Sequence, residues 1–225
     1  MLAPLAALFL VALPGAAAPP KLDPNTGCEL RDQAALTAAL KQAQDWTASA
    51  RSRMNDGGES RDALLADMTA RDVFGKAYDR KKIIDKLDEI SRVLASPDLR
   101  CVHKDYSEWH YCDDHGGKTA AWEAFAQRHG AIYLCPRFFA LKGDREDLNR
   151  VGRLVHEASH VTGVGEPNGE SYCIAGFGCS MSCGGDGDPY AVADNWGQFV
   201  HCASGHESTE DALEIRVPRP KPGKK

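Results

Sequence analysis

His156 and His160 stand four residues apart with Glu157 between them, in the run His156-Glu157-Ala158-Ser159-His160. On a helix, residues four apart share one face, so both imidazoles can grip a single zinc ion. Glu157 sits one step round, where its carboxylate can reach a water on that zinc and act as general base. The pattern H-E-x-x-H thus predicts a metal, a base and a hydrolytic reaction. A catalytic zinc takes three protein ligands and keeps one position open. Two carboxylates compete for the third place. Glu166 follows in His160-Val-Thr-Gly163-Val-Gly-Glu166, where Gly163 lets the chain turn back to the metal at once. Glu170 lies further on, two residues before Tyr172. The glycine-assisted turn favours Glu166.

These side chains need a helix to hold them. Asp144-Arg-Glu-Asp147 supplies the acidic residues that suit a helix N-terminus. Leu148, Val151, Leu154 and Val155 then recur at helical spacing, and Gly163 and Gly165 end the segment. Upstream, Ala131-Ile-Tyr-Leu-Cys135 closed by Pro136 reads as a short strand. Two placements fit it: an edge to which an extended substrate adds by backbone hydrogen bonds, or an ordinary sheet strand. Downstream, residues 163–189 form a loop rich in Gly and Cys. Pro189 to Cys202 reads as a final helix, with Tyr190, Ala193, Trp196 or Gly197, and Val200 inward.

The N-terminal part carries three apolar stripes. The first is Ala35, Leu36, Ala39, Leu40 and Trp46. The second is Leu64, Leu65 and Met68. The third is Ile83, Ile84, Leu87, Ile90, Val93 and Leu94. Asn55-Asp-Gly-Gly58 separates the first from the second. The organisation expected is a leader at residues 1–18, a helical region at 19–100, a catalytic region at 101–205 and a disordered tail at 206–225.

Composition bounds the rest. A chain of 225 residues with 43% hydrophobic residues can bury a sizeable core. A net charge of −5 gives no support for nucleic acid as a partner. Leu2 to Val11 are almost all apolar and are followed by Gly15-Ala16-Ala17-Ala18, which reads as a secretory leader. That run is too short to span a bilayer. Eight cysteines agree with export, and an even count reads as disulfides. The rival reading makes Cys173, Cys179, Cys183 and Cys202 a structural zinc site, although none of their spacings is C-x2-C.

Three segments now stand in order with the metal helix: Ile132-Tyr-Leu-Cys-Pro-Arg-Phe-Phe139, Tyr172, and Ala191-Val-Ala-Asp-Asn-Trp-Gly-Gln-Phe199. Together they resemble the deuterolysin-type zinc endopeptidases, the aspzincins, over residues 100–205. The resemblance implies an α+β, zincin-like fold with a small sheet beside the helix that bears His156 and His160. It also implies zinc on those two residues, Glu157 as base, and Tyr172 helping to hold the oxyanion. The family takes its third ligand from an Asp in Gly-Thr-x-Asp, a motif this chain lacks. Matching on Tyr172 puts Gly169 at the ligand position, with Glu170 beside it. Lysine-specific members carry acidic residues in the segment matching Asp194-Asn195-Trp196-Gly197, which marks Asp194 as a substrate contact. Gly197 takes the place of a second acid.

The expectation is a secreted, monomeric zinc endopeptidase acting on protein or peptide. Two alternatives stand beside it. One is a disulfide-rich secreted binding protein that keeps the scaffold without catalysis. The other is a zinc amidase acting on cell-wall peptide.

Overall fold

Three amphipathic helices lead into a small sheet in the computed structural model, which describes residues 28–57, 60–103, 112, 124–126, 130–140, 146–165 and 187–204. Helix α1 (Leu30–Asp56) buries Leu36, Leu40, Ala43, Trp46, Ala50 and Met54. Steps of three and four keep these on one face of a 3.6-residue helix. Gly57 ends α1 with a left-handed φ of 53°, a conformation that a Cβ disfavours. Helix α2 (Arg61–Phe74) starts at Ser60, whose hydroxyl accepts the Ala63 N–H at 3.1 Å. Helix α3 (Arg80–Ala95) starts in the same way at Asp79, which accepts the Lys82 N–H at 3.1 Å. Each cap satisfies an amide that helix geometry leaves open.

The second stripe differs from expectation. Leu64 is 51% exposed, while Ala63, Leu65, Ala66, Ala70, Val73 and Phe74 are buried. The buried face of α2 includes Ala63, Ala66 and Ala70 and packs against the last helix.

Strands β1 (Leu99–Cys101), β2 (Ala124–Ala126) and β3 (Ile132–Leu134) form one sheet in the order β1-β3-β2. β3 pairs in parallel with β1, Leu99 opposite Ile132, and antiparallel with β2, Ala124 opposite Leu134. The strand expected as a possible substrate edge is therefore the central one. Its backbone is engaged on both sides, and Ile132, Tyr133 and Leu134 are all buried. A peptide cannot add there by strand pairing.

Pro136 closes β3 and opens the short helix α4 (Pro136–Ala140). Helix α5 (Glu146–Val161) follows and carries His156 and His160. Its Arg150 reaches back to the end of α4, donating to the Phe138 carbonyl at 3.2 Å and the Phe139 carbonyl at 3.0 Å. The last expected helix is split. Pro189–Ala191 forms one tight turn, Val192 is extended, and helix α6 runs Ala193–Ala203. α6 is buried along its whole length rather than on one face, because α1, α2 and α5 all pack against it.

One hydrophobic cluster joins these elements. Trp46 and Met54 of α1, Phe74 of α2, Leu87 and Ile90 of α3, Leu154 and Val155 of α5, and Trp196 and Phe199 of α6 belong to it. The Phe74 ring lies 4.8 Å from that of Trp196 and 4.9 Å from that of Tyr190, centroid to centroid. The N-terminal helices and the histidine-bearing helix thus share a single core. The architecture is α+β, mostly helical, with a small mixed sheet.

Cys28–Cys101 ties the start of α1 to β1, and Cys112–Cys135 ties the end of β3 to Cys112. The first bridge spans 73 residues in sequence. Closing a loop of that length removes about 4 kcal/mol of unfolded-chain entropy on the loop-closure model. Cys202 is disulfide-bonded too. A bonded sulfur offers no thiolate, which removes Cys202 from the four-cysteine zinc alternative. No described helix is long and apolar enough to cross a membrane. The leader, the tail, Glu166, Gly169, Glu170 and Tyr172 lie outside the described residues.

Candidate metal centre

Val151, Leu154, Val155 and Ala158 turn one face of α5 fully into the core. The same helix brings His156, Glu157 and His160 together near its C-terminal end, with their ligand atoms all within 4.8 Å of one another. Among the described residues this is the group that could hold a metal ion. His156 Nε2 and His160 Nε2 face each other at 3.2 Å, and the two rings stand at 82°.

The other nitrogen of each ring is occupied. His160 Nδ1 lies 2.9 Å from the Val164 carbonyl oxygen. A carbonyl only accepts, so Nδ1 carries the proton. His156 Nδ1 lies 2.7 Å from Asp194 Oδ1, and an ionised carboxylate likewise accepts. A neutral imidazole with its proton on Nδ1 keeps its lone pair on Nε2, where it can bind a cation. Zinc–nitrogen bonds of about 2.0–2.1 Å at a tetrahedral angle separate the two nitrogens by about 3.3–3.4 Å. The observed 3.2 Å fits that requirement. The spacing of this pair suits a metal cation.

Glu157 stands beside the pair. It is 2% exposed, and its Oε1 lies 3.8 Å from His156 Nε2. A buried carboxylate next to two nitrogen lone pairs adds negative potential at the place where a divalent cation would gain most.

Gly163 ends the helix where expected and turns the chain, with a φ of 86°. Its N–H donates to the His160 carbonyl at 2.8 Å, and the Val164 N–H donates to the Ser159 carbonyl at 3.0 Å. These are the two bonds of a Schellman motif, which needs a left-handed residue at this place. The motif sets the Val164 carbonyl against His160 Nδ1. Gly163 therefore serves the second histidine directly, through the backbone that follows it. Lys86 of α3 secures the same corner: its ammonium donates to the Thr162 carbonyl at 3.2 Å and pairs with Glu89. Gly163→Ala is expected to cost about 1–2 kcal/mol in a denaturant titration. It should also weaken metal binding, because the Val164 carbonyl moves. An unchanged midpoint and an unchanged zinc affinity would contradict this role.

Asp194, expected from sequence at the substrate, lies behind the imidazoles. It is 3% exposed and sits between His156 Nδ1 at 2.7 Å and Arg153 Nη1 at 3.5 Å. Sequence reasoning missed both this contact and Arg153. One signal was available: Arg153 precedes His156 by three residues and so lies on the same side of the helix. The third-ligand candidates Glu166 and Glu170, and Tyr172, lie outside the described residues.

Compared with known proteins, the chain matches no protein-family model and no curated sequence.

Proposed function

We propose that the chain is a secreted zinc metalloendopeptidase of zincin type, holding its metal on His156 and His160. The observation that carries this reading is the pair of Nε2 atoms facing at 3.2 Å while both Nδ1 atoms are tied to acceptors. Such tautomer fixing is the usual arrangement around a ligating histidine. When bound there, zinc supplies a Lewis acid that polarises a carbonyl and brings the pKa of water towards neutrality.

The protein's own residues do the rest. His156 and His160 are donors held in place before the metal arrives, so little reorganisation accompanies binding. Glu157 is placed to take the proton of the attacking water on its carboxylate and to return it to the leaving amine. Its burial keeps bulk water from competing for that proton. The third ligand is Glu166, with Glu170 as the rival, and Tyr172 is assigned to the oxyanion by resemblance to the deuterolysin-type enzymes. The Cys28–Cys101 and Cys112–Cys135 bridges support an oxidising, exported setting. A protein substrate follows from the same resemblance.

The test is hydrolysis of a denatured protein by the purified chain, before and after chelation. Cleavage should disappear with a strong chelator and return on adding zinc alone. Cleavage that survives exhaustive chelation would rule out the metal-dependent reading. No cleavage at any zinc concentration would favour a binding protein on the same scaffold.

A further inference from the structure

Behind the two imidazoles lies a buried carboxylate that the proposed reaction does not itself use. Asp194 stands in the first turn of α6. Its Oδ1 is 2.7 Å from His156 Nδ1 and 3.5 Å from Arg153 Nη1. The start of α6 is itself fixed. Asn195 Nδ2 donates to the Pro189 carbonyl at 2.9 Å, and Trp196 Nε1 donates to the Tyr190 carbonyl at 3.0 Å. Asn195 and Trp196 are fully buried, so the backbone that carries Asp194 has little room to move. The amide dipoles at the start of α6 and the Arg153 guanidinium both favour a negative charge at this place.

We propose that Asp194 is a positioning residue for the metal centre, acting through His156. The inference rests on the reading of His156 and His160 as metal ligands. The carboxylate holds His156 as the Nδ1–H tautomer and fixes its ring plane, so that Nε2 points at His160 Nε2. It also makes His156 the stronger donor of the two. His160 leans on a neutral carbonyl, whereas His156 leans on a charge, and a charged acceptor strengthens both the hydrogen bond and the basicity of the far nitrogen. Arg153 completes the line Arg153–Asp194–His156, with two members on α5 and one on α6. The centre is thus built at the contact of two helices, and its geometry depends on their packing. Burial and engagement with His156 favour this role over direct contact with a substrate cation.

The test compares the full chain with Asp194→Asn and Asp194→Ala. Asn keeps the volume and an acceptor oxygen but loses the charge; Ala loses both. Two quantities are read: the zinc dissociation constant, by competition with a colorimetric chelator, and the His156 tautomer in the metal-free protein, by imidazole nitrogen NMR. Asp194→Ala should weaken zinc by about 10–100-fold and lose the fixed Nδ1–H tautomer. Asp194→Asn should fall between Ala and wild type and keep the tautomer. Asn also carries the test should the Ala variant fail to fold. Wild-type zinc affinity in both variants overturns the proposal, as does a rise in KM alone with affinity and tautomer unchanged. A wild-type chain that takes up no zinc overturns the metal reading itself, a separate and distinguishable failure.

Discussion

Replacing Glu157 with Gln is expected to leave zinc bound and to cut cleavage of a denatured protein by about 10²–10⁴-fold, the usual contribution of a general base. Gln has nearly the volume of Glu, so the buried position is refilled without a cavity. The donors on His156 and His160 are untouched, because neither Nδ1 partner involves Glu157. What disappears is the carboxylate beside the imidazoles, and with it the acceptor for the proton of the attacking water. The loss should fall on kcat, since the base acts in the transition state rather than in substrate binding. Zinc content and kcat measured on the same preparation decide the matter. Undiminished kcat would remove Glu157 from the role of base. Loss of zinc together with activity would make Glu157 a ligand instead.

Removing residues 28–100 is expected to abolish cooperative folding of the remainder. The histidine-bearing helix packs against α1 and α3, and α6 packs against α1 and α2. Without them, Val151, Leu154, Val155, Trp196 and Phe199 lose their cover. Each large apolar side chain returned to water forfeits about 1.5–3 kcal/mol. A handful of these matches the 5–15 kcal/mol by which a whole domain is typically stable. The truncation also removes Lys86 from the Thr162 carbonyl and breaks the Cys28–Cys101 bridge. A thermal melt followed by far-ultraviolet circular dichroism should lose its sigmoidal transition. A cooperative melt of the truncated chain would show that α1 to α3 are a separable cover over the centre.

The sequence showed the local features and hid the non-local ones. Helix α5 was legible because acidic residues, an apolar period and two glycines mark it between Asp144 and Gly165, and the pairing of His156 with His160 follows from helical spacing alone. The strand at Ile132–Leu134 was legible for the same reason. Its place in the sheet was not. β3 is central because Leu99–Cys101 and Ala124–Ala126 flank it, and pairing with β1 joins residues about thirty apart, which no local pattern encodes. Asp194 shows the same limit. It is 38 residues from His156 and meets it only because α5 and α6 pack side by side. The inward residues of α6 could not be chosen from periodicity, because helices on several sides bury the whole of it. Gly163 was correctly read as a turn. Its product is the carbonyl that orients His160, and only the hydrogen bonds at the end of α5 reveal that.

The proposed role of His156 and His160 is to hold one zinc ion together. Metal analysis of the purified chain beside His156→Ala/His160→Ala, after equilibration with zinc and removal of the excess, tests it most directly. One zinc per wild-type chain is expected, with none in the double variant and a cooperative melt in both. Zinc-free wild type, or a double variant that retains as much zinc as wild type, would contradict the account.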